Sequence, residues 1–442
     1  MSTMKMNRLN IACAIGLALA STLNIANAKT MVFTNVSIVD IDGSAPKGKQ
    51  TVVVEDDRIT AIGQTAKIPS GSQVIDASGK YMLPGFAEMH GHIPQQTAGE
   101  QAIKDTLFMY VANGVTTVRG MLGGIGQLDL REKASSGEIV SPTLYLAGPS
   151  FSGGSINSVE QARVKVERQK KQGWDLLKIH PGLTLEQYQA MASKANELGL
   201  EFGGHVPAEV GLDNILKHKQ RTVDHLDGYV AYLDGESTPI SDEKLLKVAK
   251  RTKEAGVGMV PTMALWRSLL NASDLETLQS QPELKYMPKA TVDGWTNYYK
   301  APRTTDFLRS DEPTVRNENR MRLLKAMDSV GVEILFGTDS PQVFSVPGFS
   351  IHREIDAMQE AGMSNKAILK SATVAAGDYF DDKDKFGTIK VGYRADIILV
   401  DENPVTNMDT LQTPVGVMAQ GRWYSKGDID KELEAIAKRA RP

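Results

Sequence analysis

The chain has 442 residues, 41% hydrophobic and 23% charged, with 50 basic against 53 acidic side chains. That length is ample for a large core and for two domains, and without a basic excess nothing attracts nucleic acid. The single cysteine, Cys13, excludes an intrachain disulfide.

The chain opens with Lys5 and Arg8, an apolar run from Ile11 to Ala20, and Ala26-Asn27-Ala28, a small-x-small cleavage site. These three features in order predict a signal peptide over residues 1–28 and export to a bacterial periplasm or the medium. Ser21, Thr22 and Asn24 interrupt the apolar run short of the roughly 20 residues a bilayer requires, so no membrane span is expected after cleavage. A mature chain starting at Lys29 has no cysteine, and losing Lys5 and Arg8 moves its net charge from −3 to −5.

Residues 29–83 read as short strands, "MVFTNVSIVDI", "TVVVEDDRITAIG" and "SQVIDASGKYML", with turns at Asp56-Asp57 and near Gly79. Strand patterns return over 384–426, in "GTIKVGYRADIILV" and "VGVMAQGRWYS". The two sets predict one composite β domain, a small sandwich built from both chain ends. Between them, over 84–383, short β-branched runs alternate with amphipathic helices, the pattern of βα units on a parallel sheet. Strand ends fall near His90, at 114–120, 143–148, 175–180, 200–205, 221–225, 256–262 and 332–339. Eight such units predict an α/β fold of the (β/α)8 barrel type. From His225 to Asp339 the chain exceeds by roughly 50 residues what two units of about 31 residues need, which predicts an insertion at about 263–318. Residues 427–442 read as a charged, exposed helix.

His90 and His92 stand two apart at the end of an apolar strand, so both leave the same face about 6–7 Å apart and can converge on one ion. "HGH" alone carries little weight. His205, His225 and Asp339, however, each close a predicted strand, so four of the seven histidines reach the rim where barrel enzymes keep their catalytic groups. Lys178 has the inward parity of "DLLKIH" although an ammonium cannot ligate a metal. The plain alternative for it is an ion pair with Asp339. His180 shares that parity and either touches substrate or packs behind the site.

Taken together, "YMLPGFAEMHGH", "LLKIH", "GGHV", "VDHL", "FGTDSP", "IHREIDAMQEAG" and "GTIKVGYRADIILVDENP" resemble the amidohydrolase superfamily, in particular its imidazolonepropionase-like and prolidase-like (Xaa-Pro dipeptidase) members. The likeness covers nearly the whole chain after residue 28. It implies two divalent metal ions: His90, His92 and Asp339 on one, His205 and His225 on the other, and Lys178 bridging them as N6-carboxylysine with a shared hydroxide. Imidazole and carboxylate ligands suit zinc, with manganese or cobalt as alternatives. Asp339 would take the hydroxide's proton and pass it to the leaving nitrogen. Two departures stand out: Gly120 replaces the Asp that often follows the Arg119 position, and Glu88 stands where an Asp usually precedes His-x-His.

Residues 266–299 contain Trp266, Tyr286, Trp295, Tyr298 and Tyr299, against roughly two aromatics expected from the 6% average. This segment is either a lid, with Trp295 and Tyr298 lining an aromatic pocket, or a flap packed on the outside. Arg119, Tyr229 and Arg267 are candidates to hold a substrate carboxylate. The expected reaction is hydrolysis of an amide or peptide bond in a dipeptide or N-acyl amino acid. A lactonase or phosphotriesterase would use the same metals, and a non-catalytic metal- or ligand-binding barrel is the reading from a different class. Deamination is disfavoured, because in the resembled superfamily the carboxylated lysine belongs to the binuclear hydrolases. The sequence leaves self-association into a homo-oligomer open.

Overall fold

The computed structural model describes residues 30–41, 45–270, 275–301 and 313–441. The expected signal peptide lies outside them. The N-terminal strands are β1 (Met31–Ile38), β2 (Lys47–Glu55), β3 (Arg58–Gly63), β4 (Gln73–Asp76) and β5 (Tyr81–Pro84). The body contributes β6 (Phe86–Gly91), β7 (Val115–Gly120), β8 (Thr143–Leu146), β9 (Leu176–Ile179), β10 (Glu201–Gly204), β11 (Thr222–Asp224) and β12 (Gly258–Val260). The chain returns with β13 (Ile397–Val400), β14 (Gly416–Ala419) and β15 (Arg422–Ser425).

Strands from both ends join in one sheet of order β15-β14-β13-β5-β1-β2-β3, with β4 also on β1. The strands expected to form a small composite sandwich thus share one hydrogen-bonded network. It runs through β1, whose register on β2 shifts on both sides of Val36 and whose Asn35 has φ 59°. Such irregularities bend a strand, and β1 pairs with β4 over Met31–Thr34 but with β5 at Ser37 and Ile38. Antiparallel pairing of β5 with β13 and an edge-to-face contact of Phe33 with Trp423, 5.1 Å between ring centres, lock the two ends together.

In the body every pairing is parallel, within β6-β7-β8 and within β9-β10-β11-β12. β6, β7 and β9 are buried at every position, as strands covered on both faces must be. Isolated bridges Ala147↔Leu176 and Met259↔Ile334 connect these groups to each other and to the eighth segment. That segment, expected as a strand over 332–339, holds only this bridge. Leu335 N and Asp339 N reach Met259 O and His90 O, but Phe336 N is spent on Ser371 O, so no ladder forms.

After β12 come the helices Met263–Leu270, Leu275–Gln279 and Lys289–Lys300, a 3₁₀ turn at Pro282–Tyr286, and the helix Pro313–Val330. Leu278, Leu284, Met287 and Tyr299 from this stretch form a core with Phe344, Phe108 and Ile429. The C-terminal helix, Lys426–Ala440, departs from the exposed helix expected. Ile429, Ile436 and Ala440 are buried, and their i, i+7, i+11 spacing makes one apolar stripe. Among the described residues no helix is long and apolar enough to cross a membrane.

Candidate metal centre

The parallel strands bring the expected ligands together at their C-terminal ends. His90, buried near the end of β6, has Nε2 3.6 Å from Asp339 Oδ1 and 3.2 Å from Lys178 Nζ. His92 Nε2 lies 2.6 Å from the same Asp339 oxygen. The His225 ring centre is 4.5 Å from that of His90 and 4.7 Å from that of His205. One ligand atom each from His90, His225 and Asp339 falls within 4.8 Å of the others. The tightest grouping therefore places His225 with His90 and Asp339, where the resemblance paired it with His205.

Buried carboxylates hold these side chains from behind. Asp224 Oδ2 is 2.8 Å from His90 Nδ1 and 3.7 Å from Lys178 Nζ, and its Oδ1 is 3.3 Å from Arg119. Asp227 Oδ2 is 2.5 Å from His205 Nδ1, and Thr262 Oγ1 is 2.8 Å from His225 Nδ1. Such partners fix the orientation of each ring toward an ion. Glu88 fills the place expected for an Asp and accepts from His90 N, Thr338 N and Thr338 Oγ1. It thereby ties β6 to the eighth segment, and burial pushes its carboxyl up to about 7.

Burial, with Lys178 close by, holds His90 well below the usual imidazole range, and burial beside His90 and His205 does the same to His225. Neutral imidazole is the ligating form. Lys178 is fully buried; desolvation lowers its pKa and Asp224 opposes the shift. The lysine therefore faces Asp224 more than Asp339. Gly204 permits this approach. At φ 127°, a Cβ there would lie 2.5 Å from Ile179 O and 3.1 Å from Lys178 Cδ.

Backbone strain concentrates here too. His225, Leu226, Thr262 and Asp339 have φ of 66°, 53°, 45° and 62°, and left-handed non-glycine residues cost about 1–3 kcal/mol each. Gln342 Nε2 donates to Asp339 Oδ2 at 2.8 Å, so each carboxylate oxygen has its own partner.

A cavity of about 1270 Å³ opens from His205, His225 and Asp339 and is walled by Trp266, Trp295, Tyr298 and Arg320. Trp295 and Tyr298 are thus among the residues that line this cavity. The His180 ring centre lies 5.0 Å from that of His205. The other three substrate candidates lie elsewhere. Arg119 is fully buried, donating to Met89 O, Thr222 Oγ1 and Tyr379 OH; with Gly120 following it, Asp224 supplies the ion-pair partner. Tyr229 is buried with its OH on Thr252. Arg267 pairs with Glu360 at 3.2 Å, away from the cavity. Nothing local in the sequence reveals partners as distant as Tyr379, Thr252 and Glu360. The sequence reading missed Asp224, Asp227, Thr262 and Gln342. The signal for the first two was the run of carboxylates around His225 in "VDHLDG".

The sequence profile of the amidohydrolase family matches residues 81–424, and the chain belongs to that family of metal-dependent hydrolases. It is 24% identical over 401 residues to a 5-methylthioadenosine/S-adenosylhomocysteine deaminase of Caldanaerobacter subterraneus subsp. tengcongensis, covering 84% of this chain and 85% of the relative. An imidazolonepropionase of Thermoanaerobacter pseudethanolicus is 23% identical over 402 residues, 83% of this chain and 86% of that one. A dihydroorotase of Thermoanaerobacter sp. (strain X514) matches at 35% over only 92 residues, 21% of either chain. Among solved structures, bottromycin amidohydrolase superposes with a TM-score of 0.74 at 22% identity, over 93% of this chain and 91% of that one. A Xaa-Pro dipeptidase with methionine in its active site gives 0.67 at 19% identity, over 90% and 100%. These superpositions establish a shared fold.

Proposed function

We propose that this chain is a binuclear metal-dependent amidohydrolase that cleaves an amide or peptide bond in a dipeptide or N-acyl amino acid. The observation that carries the reading is the convergence of His90, His225 and Asp339 within 4.8 Å, with His92, Lys178 and His205 around them, at the mouth of an aromatic-walled cavity. We read the parallel body, residues 84–383, as a (β/α)8 barrel with the composite β domain of 29–83 and 384–426 beside it. The strand-to-strand bridges and the bond from Met89 N to Phe336 O support closure.

Neutral buried imidazoles, a carboxylate with both oxygens facing the cluster and a desolvated lysine suit divalent metal, zinc first. Two bound ions would supply Lewis acidity to the scissile carbonyl and acidify a water. The chain's own residues do the rest. Asp339, held by His92 and Gln342, accepts the attacking water's proton and returns it to the leaving nitrogen. Asp224 and Asp227 keep His90 and His205 aimed at the centre. Addition of the unprotonated Lys178 amine to CO₂ with loss of a proton would give N6-carboxylysine, whose carboxylate could hold both ions. Trp266, Trp295 and Tyr298 cover the apolar part of the substrate and exclude water.

Hydrolytic deamination is the second reading, favoured by the match to a deaminase over most of the chain. Lys178, 3.2 Å from His90 Nε2 within the ligand cluster, argues for the binuclear amide hydrolase. A screen of zinc-loaded protein against dipeptides, N-acyl amino acids, lactones, phosphotriesters and amino-purines decides. Amide cleavage is expected. Ammonia release from the purines, turnover of esters alone, or no turnover with metal bound would each replace the proposal with the corresponding alternative.

A further inference from the structure

Arg320, on the Pro313–Val330 helix, lines the cavity that opens from His205, His225 and Asp339. Its side chain is 2% exposed, yet its Nε and Nη2 have no hydrogen-bond partner among the described residues. Those two nitrogens form one edge of the guanidinium fork, the edge that grips a carboxylate with two parallel bonds. The flat face of the group is already in use, since it lies 3.7 Å from the ring centre of Trp266. The carboxylates whose fields reach it are engaged elsewhere. Glu236 pairs with Arg316 at 2.5 Å, and Asp227 is 2.5 Å from His205 Nδ1. Burial lowers the Arg320 pKa to about 9, so the group still carries its charge at neutral pH. A buried guanidinium with an unsatisfied edge is costly to keep, and Leu265, Leu269, Val206 and Val230 of the same cavity are apolar.

We propose that Arg320 is the anion receptor of this cavity, its Nε–Nη2 edge binding the carboxylate of a substrate whose body is apolar or aromatic. The cavity then reads as a two-point site, with the carboxylate at Arg320 and the scissile amide at Asp339. A positive charge with no ion-pair partner among the described residues calls for a monoanion, and the Trp266 indole beneath the guanidinium holds its plane ready for a planar acceptor. This deepens the proposed function, on which the position of the amide rests. The carboxylate contact does not depend on turnover.

The test is tryptophan fluorescence of the metal-loaded full chain titrated with 3-phenylpropionate and with its neutral isostere 3-phenylpropionamide. Wild type should bind the acid roughly 10- to 100-fold tighter than the amide, the range for a charge-assisted hydrogen-bonded pair. Arg320→Met, with circular dichroism and metal content as wild type, should bring the two affinities within about twofold by removing the charged donors. A wild type that does not distinguish acid from amide, or an Arg320→Met protein that keeps the full preference, overturns the proposal. In the second case the carboxylate sits on the metals instead. If Arg320→Met does not fold, Arg320→Lys decides, because it keeps the charge and loses the fork: a weakened preference supports the receptor, an undiminished one refutes it. Should the hydrolysis screen fail while the acid preference persists and depends on Arg320, the receptor stands and the amidase reading falls.

Discussion

Asp339 combines left-handed backbone, a 2.6 Å contact to His92 and a hydrogen bond from Gln342. Asp339→Asn retains an oxygen able to ligate but cannot accept a proton. Losing general acid–base assistance costs about 10²- to 10⁴-fold, so kcat should fall by that order for amides and less for activated esters. Near wild-type amide turnover by a variant still holding two metals would remove Asp339 from the proton transfer. Lys178 allows a separate test. Lys178→Ala should lose binuclear metal binding and regain part of its activity with short carboxylic acids and bicarbonate; two metal equivalents retained on elemental analysis would count against a bridging role. These positions were legible in the sequence because strand parity and strand ends are local properties. Arg119 misled for a related reason. Its partners Asp224 and Tyr379 lie 105 and 260 residues away and turn it into a support for the ligands.

At the level of elements, the Met263–Leu270 helix begins on a buried acid. Glu354, from the Ser350–Glu360 helix, accepts from Met263 N at 2.9 Å and Ala264 N at 2.7 Å. This fixes the turn carrying Thr262, and with it the ring of His225. Burial pushes the Glu354 carboxyl from 4.5 up to about 8. Because the folded state binds this proton more tightly than the unfolded chain, the stability it contributes is fully present below about pH 4.5. It is lost as pH rises through about 8, by an amount on the order of a few kcal/mol. Thermal unfolding from pH 5 to 9 should show a decline that Glu354→Gln, which does not titrate, flattens; an unchanged slope would mean that another group is responsible. The Lys289–Lys300 helix carries Trp295 to the cavity, its ring 5.7 Å from Phe344. Trp295→Ala and Tyr298→Ala are each expected to lower kcat/KM for the best substrate about fivefold, since an aromatic contact made with the substrate is worth about 1 kcal/mol beyond its area. If neither changes it, the helix serves packing alone.

For the whole molecule, the ordered signals over residues 1–28 lead us to propose export, and N-terminal sequencing or mass analysis of the envelope protein should find Lys29 first. Recovery of Met1 would show that the leader is retained. By itself the sequence determined the parallel α/β body, the return of the chain to complete a β unit begun at the other end, and the six candidate ligands. The strands and helices follow from local periodicity, and the full ligand set, Lys178 included, from the motifs that resemble the amidohydrolase superfamily. Tertiary structure decided that β1 changes partner from β4 to β5 along its length, and that the eighth segment bonds to its neighbours through scattered backbone contacts rather than as a regular strand. It also decided that Asp224 stands behind both His90 and Lys178, and that Arg320 reaches a cavity formed mainly by other elements. Those outcomes depend on which buried polar groups find partners across the fold, and a buried charge takes its role from neighbours that are adjacent only in three dimensions.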